Sequence, residues 1–276
     1  MTTQKHWTRI AIVVSVVLVA AIVVLRSWPS LWVTMPHSKD ASVAQADRTL
    51  EGPKLERLIQ DTGNLDWKVR WDAVNELGKL RDRRAVPALV RRTLYDDNPH
   101  PRWRSLWALK AVDDKGSKAV PLLRTALEDP DPVVVRNAAI ALAFFGQPEA
   151  RDELLKGLAD DDSYRRWEAI FSLRRIGNRE VAQALIPFLQ GDTEPEEKIR
   201  REVVLALGYM GSRDVISPLL DALRKDKSPQ VRWRAAMTLS KIGDSSVIPE
   251  LERAMSMEKD SQVREHIDKA LTKIKR

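Results

Sequence analysis

From residue 51 onward, apolar residues recur at spacings of 3, 4 and 7, and the whole set returns about every 32 residues. Leu77, Leu109, Leu142, Leu173, Leu207, Leu239 and Leu271 mark the period, at intervals of 31 to 34. Three residues after each stands Leu80, Val112, Phe145, Ile176, Met210, Ile242 or Ile274, and glycine follows directly at Gly146, Gly177, Gly211 and Gly243. This spacing predicts an amphipathic helix that glycine terminates. A second apolar stretch follows, as in "AVPLLRTAL", "VISPLLDAL" and "SVIPELERAM", where Pro121, Pro218 and Pro249 suit a first helical turn. Acidic turns such as "EDPDP" and "DDDS" lead into the next unit. A helix pair of about 30 residues cannot bury its own apolar face, so the pairs must stack into an all-α solenoid.

Two stretches make the pattern specific. "DPDPVVVRNAAIALAFFG" and "SPQVRWRAAMTLSKIGD" resemble HEAT repeats of the phycobilisome-lyase type, and the resemblance covers residues 51–276. The fold expected is a right-handed α-solenoid of about seven HEAT-like helix pairs. For function the resemblance implies scaffolding and binding as often as chemistry.

The N-terminus has a different character. Residues 10–25, "IAIVVSVVLVAAIVVL", are continuously apolar, with Lys5 and Arg9 before them and Trp7, Trp28 and Trp32 at the two ends. This composition predicts a transmembrane helix within an anchor over residues 1–33, followed by a flexible tether over 34–50 and the solenoid over 51–276. Arg26, Trp28 and Pro29 stand where a signal peptidase would need small residues, so the anchor is expected to stay uncleaved. The cation count places the N-terminus in the cytoplasm and the solenoid outside it, as a single-pass membrane protein.

Of the net charge of +7, residues 1–50 hold +3, which leaves +4 spread over 226 residues of mixed sign. A phosphate-binding face would concentrate cations, so nucleic acid is not an expected partner. The absence of cysteine removes disulfides, thiolate zinc sites and a thiol nucleophile. The repeats contain only His100 and His266, and no G-x-S-x-G, G-x-x-x-x-G-K or H-E-x-x-H occurs. HEAT-type metal hydroxylases use several His-Glu pairs, whereas here one reversed pair stands at Glu265-His266. The run Asp160 to Asp162 lacks the glycine and distal glutamate of a calcium loop and reads as a turn and helix cap. No catalytic residue, metal ligand or cofactor is expected, and the chain is read as a non-enzyme.

Two columns carry candidate chemistry. Seven residues before each marker leucine stands Arg70, Arg102, Val135, Arg166, Arg200, Arg232 or Arg264, each after an acidic turn. These guanidiniums either lock neighbouring repeats to turn carboxylates and carbonyls or present a row of cations to an anion. One residue later come Trp71, Trp103, Trp167 and Trp233, with Trp107 and Phe171 four positions further on at the same azimuth. These rings either stack between first helices or line an open groove. The groove reading makes Trp103, Trp107, Trp167 and Trp233, with Arg104 and Arg234, the candidate partner-binding residues.

The leading functional expectation is a membrane-anchored, non-catalytic scaffold that binds a protein or peptide on its inner face outside the cytoplasm. Resemblance adds a second reading, a bilin-lyase-like chaperone or chromophore-handling protein. A third, a nucleic-acid module similar to HEAT-like alkylpurine glycosylases, requires a cytoplasmic domain.

Overall fold

A computed structural model of the chain describes residues 52–275. Among them are fourteen α-helices and no strand. Helix α1 (52–61) precedes a series in which long first helices alternate with shorter second helices. The first helices are α2 (Trp67–Leu80), α4 (Pro99–Val112), α6 (Pro132–Phe144), α8 (Ser163–Ile176), α10 (Glu197–Met210), α12 (Pro229–Ile242) and α14 (Ser261–Ile274). The second helices are α3 (Val86–Tyr95), α5 (Ala119–Thr125), α7 (Arg151–Lys156), α9 (Arg179–Leu185), α11 (Ile216–Lys225) and α13 (Ile248–Met257). Seven first helices thus meet six second helices, and α14 has none after it. The described residues form an α-solenoid. The apolar run 10–25 and the tether 34–50 lie outside them, and among the described residues no helix is long and apolar enough to cross a membrane.

Local chemistry sets each boundary. Asp66, Asn98, Asp131, Asp162, Ser228 and Asp260 cap first helices by accepting the backbone N–H two residues on. The acidic run therefore is a turn and cap, with Asp160 holding the N–H of Asp162 and Asp162 holding that of Tyr164. Gly211 and Gly243 end α10 and α12 in the left-handed region, at φ 64° and 74°. The marker leucines all lie in the core. Second helices cover one side of the row, while first helix packs on first helix, α2 on α4, α8 on α10, α10 on α12 and α12 on α14.

Between these layers runs a ladder of arginine forks. Arg200 is fully buried and donates from Nε and Nη2 to the two oxygens of Asp226 at 2.7 and 3.0 Å. Its Nη1 caps the carbonyls of Glu194 and Pro195 at 3.0 and 2.8 Å. Arg70 repeats the arrangement with Asp96, Arg166 with Glu194 and Arg232 with Glu258. Each of these carboxylates also accepts the N–H two residues later, which fixes the turn into the next first helix. The ladder breaks in the middle. Arg102 makes one bond, to the Asp96 carbonyl, and at Val135 no fork exists. There Asn137 of α6 donates instead to the Leu94 carbonyl of α3 at 2.9 Å.

Candidate functional site on the first-helix face

The face that first helices turn away from their partners carries side chains at i, i+1, i+4 and i+8 of each repeat. Trp103 of α4 and Trp167 of α8 share it, with ring centroids 6.2 Å apart. These helices are two repeats apart, and packed helices sit about 8–10 Å from axis to axis, so a flat row would separate them by about 20 Å. The row therefore curves toward this side. Phe171 joins both rings, edge-on to Trp103 at 5.6 Å and stacked on Trp167 at 4.9 Å, and Tyr164 stacks on Trp167 at 5.9 Å. Trp107, 49% exposed, meets Phe144 edge-on at 4.7 Å. The Arg175 guanidinium ties the groups together, 3.8 Å from the Phe144 centroid, 4.6 Å from Phe171 and 5.9 Å from Trp107.

Two buried carboxyls stand in this aromatic wall. Glu168, 4% exposed, accepts from Trp103 Nε1 at 3.1 Å, and the same indole N–H reaches the Tyr164 hydroxyl at 2.9 Å. Burial pushes its pKa above the usual carboxylate range, against the pull of Arg102 and Arg136. Glu202, bridged to Arg174 at 2.7 Å, is raised by burial as well, although four guanidiniums face it, those of Arg174, Arg234, Arg175 and Arg201.

The arginines of this face differ from those of the ladder. Among the described residues Arg136 forms no hydrogen bond or ion pair, and the Nε atoms of Arg104, Arg136 and Arg234 are buried without a partner. Arg104 reaches back to Asn75 and donates from Nη2 to its side-chain Oδ1. Among the described residues Arg175 bonds only the Phe171 carbonyl, at 3.3 Å, and burial beside Arg174 lowers its pKa to about 10. Arg234 lies over Trp233 at 4.6 Å and is lowered by burial and by Arg201. What this face offers is flat apolar surface with cations whose donors remain open.

Of the six residues singled out from sequence, the structure brings Trp103, Trp107 and Trp167 into one cluster. Trp233 instead meets His266, with rings 4.7 Å apart, and Arg234 lies over that tryptophan, while Arg104 turns toward the first repeat. Sequence reading missed Phe144, Arg175 and Tyr209, although one further step of four residues from Ile140, Phe171 and Leu205 reaches all three. Glu168 and Glu202 carried no sequence signal, since their burial arises from the stack. Among the described residues no three His, Cys, Asp or Glu side chains converge as a metal site requires.

Comparison with known proteins places this geometry. The HEAT-repeat family matches residues 53–127, 93–174 and 182–272, well over half of the chain. The chain is a HEAT-repeat protein. The PBS lyase HEAT-like repeat matches residues 165–191, which include Trp167, Glu168, Phe171, Arg174 and Arg175. The chain is 27% identical over 211 residues to phycocyanobilin lyase subunit alpha of Pseudanabaena tenuis (strain PCC 7409), covering 58% of this chain and 73% of that protein. Its fold is similar to that of the Escherichia coli protein YibA, at 19% identity and a TM-score of 0.50 over 89% of this chain and 100% of that one. The complex of CpcE and CpcF of phycocyanin lyase from Nostoc sp. PCC7120 aligns at 20% identity and a TM-score of 0.46, covering 80% and 94% of the two chains.

Two expectations are corrected. The reading as a non-enzyme rested on missing nucleophile and metal motifs, but the relative is a lyase subunit, and addition or elimination needs only a positioned substrate and proton transfer. The single-pass membrane protein with an extracytoplasmic solenoid is corrected by the same relationship, since the relative is a phycocyanobilin lyase subunit; the apolar run on which that reading rested lies outside the described residues.

Proposed function

We propose that this HEAT-repeat protein is a bilin-lyase-like protein that holds a linear tetrapyrrole on the first-helix face and acts on its bond to a protein partner. The relative's name supplies the substrate class, and the word subunit in it supports a second polypeptide. The observation that carries the reading is the coincidence of stacked rings and uncommitted guanidiniums. A linear tetrapyrrole is conjugated and apolar over its face and carries carboxylate side chains. Trp103, Trp167 and Phe171 offer stacking surface, and Arg136 and Arg175 offer open donors to carboxylates. Glu168, whose proton burial holds more tightly than an ordinary carboxyl holds its own, is the group in this wall suited to give a proton to a bound chromophore. The inner face is then shared by the chromophore and the protein that receives or releases it.

Titration of the purified full chain with phycocyanobilin tests this reading. Saturable quenching of tryptophan fluorescence, with a matching change in chromophore absorbance, is the expected result. Trp167→Ala should weaken binding by tenfold or more, the loss of a buried aromatic anchor of about 2 kcal/mol. A folded protein that shows no saturable binding would remove the tetrapyrrole from the assignment.

A further inference from the structure

At one edge of the face, where α4, α6 and α8 end, an open depression of about 620 Å³ is lined by Lys110, Phe144, Phe145, Arg174, Arg175 and Tyr209. We propose that this depression is an anion-binding site for a carboxylate or phosphate group, with Arg175 as the residue that receives it. The identity of the anion as a tetrapyrrole carboxylate rests on the function proposed above, whereas the site itself rests on the geometry alone.

Arg175 lacks the partners that its counterparts in the ladder hold. In the ladder, Arg166, Arg200 and Arg232 each make two bonds to a carboxylate and two to turn carbonyls. Arg175 makes one long bond within its own helix and, among the described residues, no ion pair. The rings of Phe144 and Phe171 shield its charge, but a ring face accepts none of the N–H groups at the edge of the fork. Arg174 beside it already holds Glu202, itself the one carboxylate facing four guanidiniums. Lys241 lies 4.2 Å over the Tyr209 ring and adds a further cation, while Lys110 is answered locally by Asp114. A cluster with surplus, partly desolvated positive charge is costly to keep in an empty fold. A planar fork with open donors, backed by aromatic faces, is the geometry that receives a carboxylate or phosphate through paired bonds. The position also fits the stacking surface, since Trp107 and Phe171 border both. A flat chromophore on the rings would carry its acidic side chains to this edge.

Three probes on the full chain test the site, with tryptophan fluorescence as readout: phycocyanobilin, its dimethyl ester and inorganic phosphate. The free acid should bind wild type about tenfold or more tighter than the ester, the worth of a charge-assisted bond pair. Arg175→Gln should abolish that difference while leaving ester binding near wild type, and Arg175→Lys, which keeps the charge without the fork, should restore only part of it. Phosphate should compete with the free acid in wild type and not in Arg175→Gln. Equal binding of acid and ester by wild type overturns the site but leaves the tetrapyrrole reading standing, and this comparison needs no folded variant. Failure of both pigments to bind, with a phosphate response that Arg175→Gln removes, keeps the anion site and sinks the tetrapyrrole. A phosphate response indifferent to Arg175, with acid and ester bound alike, overturns the proposal.

Discussion

Arg136 of α6 and Arg200 of α10 stand one register position apart within their repeats, and their surroundings give them opposite consequences. The Arg200 side chain is 1% exposed, and that of its partner Asp226 3% exposed. Removing the guanidinium leaves a buried carboxylate and two turn carbonyls without donors. Arg200→Ala is therefore expected to cost about 3–5 kcal/mol in unfolding free energy, the usual cost of breaking one half of a buried pair. Among the described residues Arg136 makes no hydrogen bond, its Nε is buried without a partner, and burial opposes the charged form of Glu168 that would attract it. Arg136→Ala should change stability by no more than about 1 kcal/mol. Urea unfolding of the two variants separates the roles. Equal losses would make the inner arginines scaffold and remove their claim on a ligand.

Elements were legible in the sequence where one residue determines the outcome locally. The leucine column announces itself because burial on a helix has a period of 3.6, and the glycine stops because few other residues adopt a left-handed backbone. Arg81 fills that place in the first repeat at φ 53°, which the pattern did not signal. That the ladder uses turn carboxylates and carbonyls was legible, but the register of the partners was not. The forks close on Asp96, Glu194, Asp226 and Glu258, in the turn 26 to 28 residues ahead rather than the one just before each arginine, a distance set by the offset of the stack. The same holds for Gly208, which reads as an ordinary helix residue. A Cβ there would stand 2.6 Å from Thr238 Cγ2, so α10 and α12 approach closely only because it is absent. Gly208→Ala should destabilise by about 1–3 kcal/mol through overpacking, although alanine favours helix by about 1 kcal/mol. Adding Thr238→Ser, which removes the offending methyl, should recover most of the loss in a thermal melt. A stabilised single variant would show that the two helices part without cost.

For the whole solenoid, stability is in first approximation a sum of contacts between adjacent repeats, and curvature follows from how each first helix sits on the next. The contact between Trp103 and Trp167 departs from that rule, because it joins α4 to α8 across α6. It also falls where the arginine ladder is interrupted, at Arg102 and Val135. The two facts together make the aromatic cluster a clasp: it supplies, on the inner side, a restraint that the forks supply elsewhere between the layers. Its polar fastening is the Trp103 indole N–H, shared between Tyr164 and Glu168. Trp103→Ala should therefore open the curve. Small-angle scattering of the full chain should report a larger radius of gyration with unchanged helical circular dichroism, while Trp103→Phe, which keeps a ring but not the N–H, should fall between. A ligand that bridges the remaining rings of Trp167 and Phe171 to α4 should draw the radius of gyration back toward the wild-type value. An identical scattering profile for Trp103→Ala would mean that first-helix packing alone sets the curvature, and that the rings meeting across α6 serve the bound molecule rather than the fold.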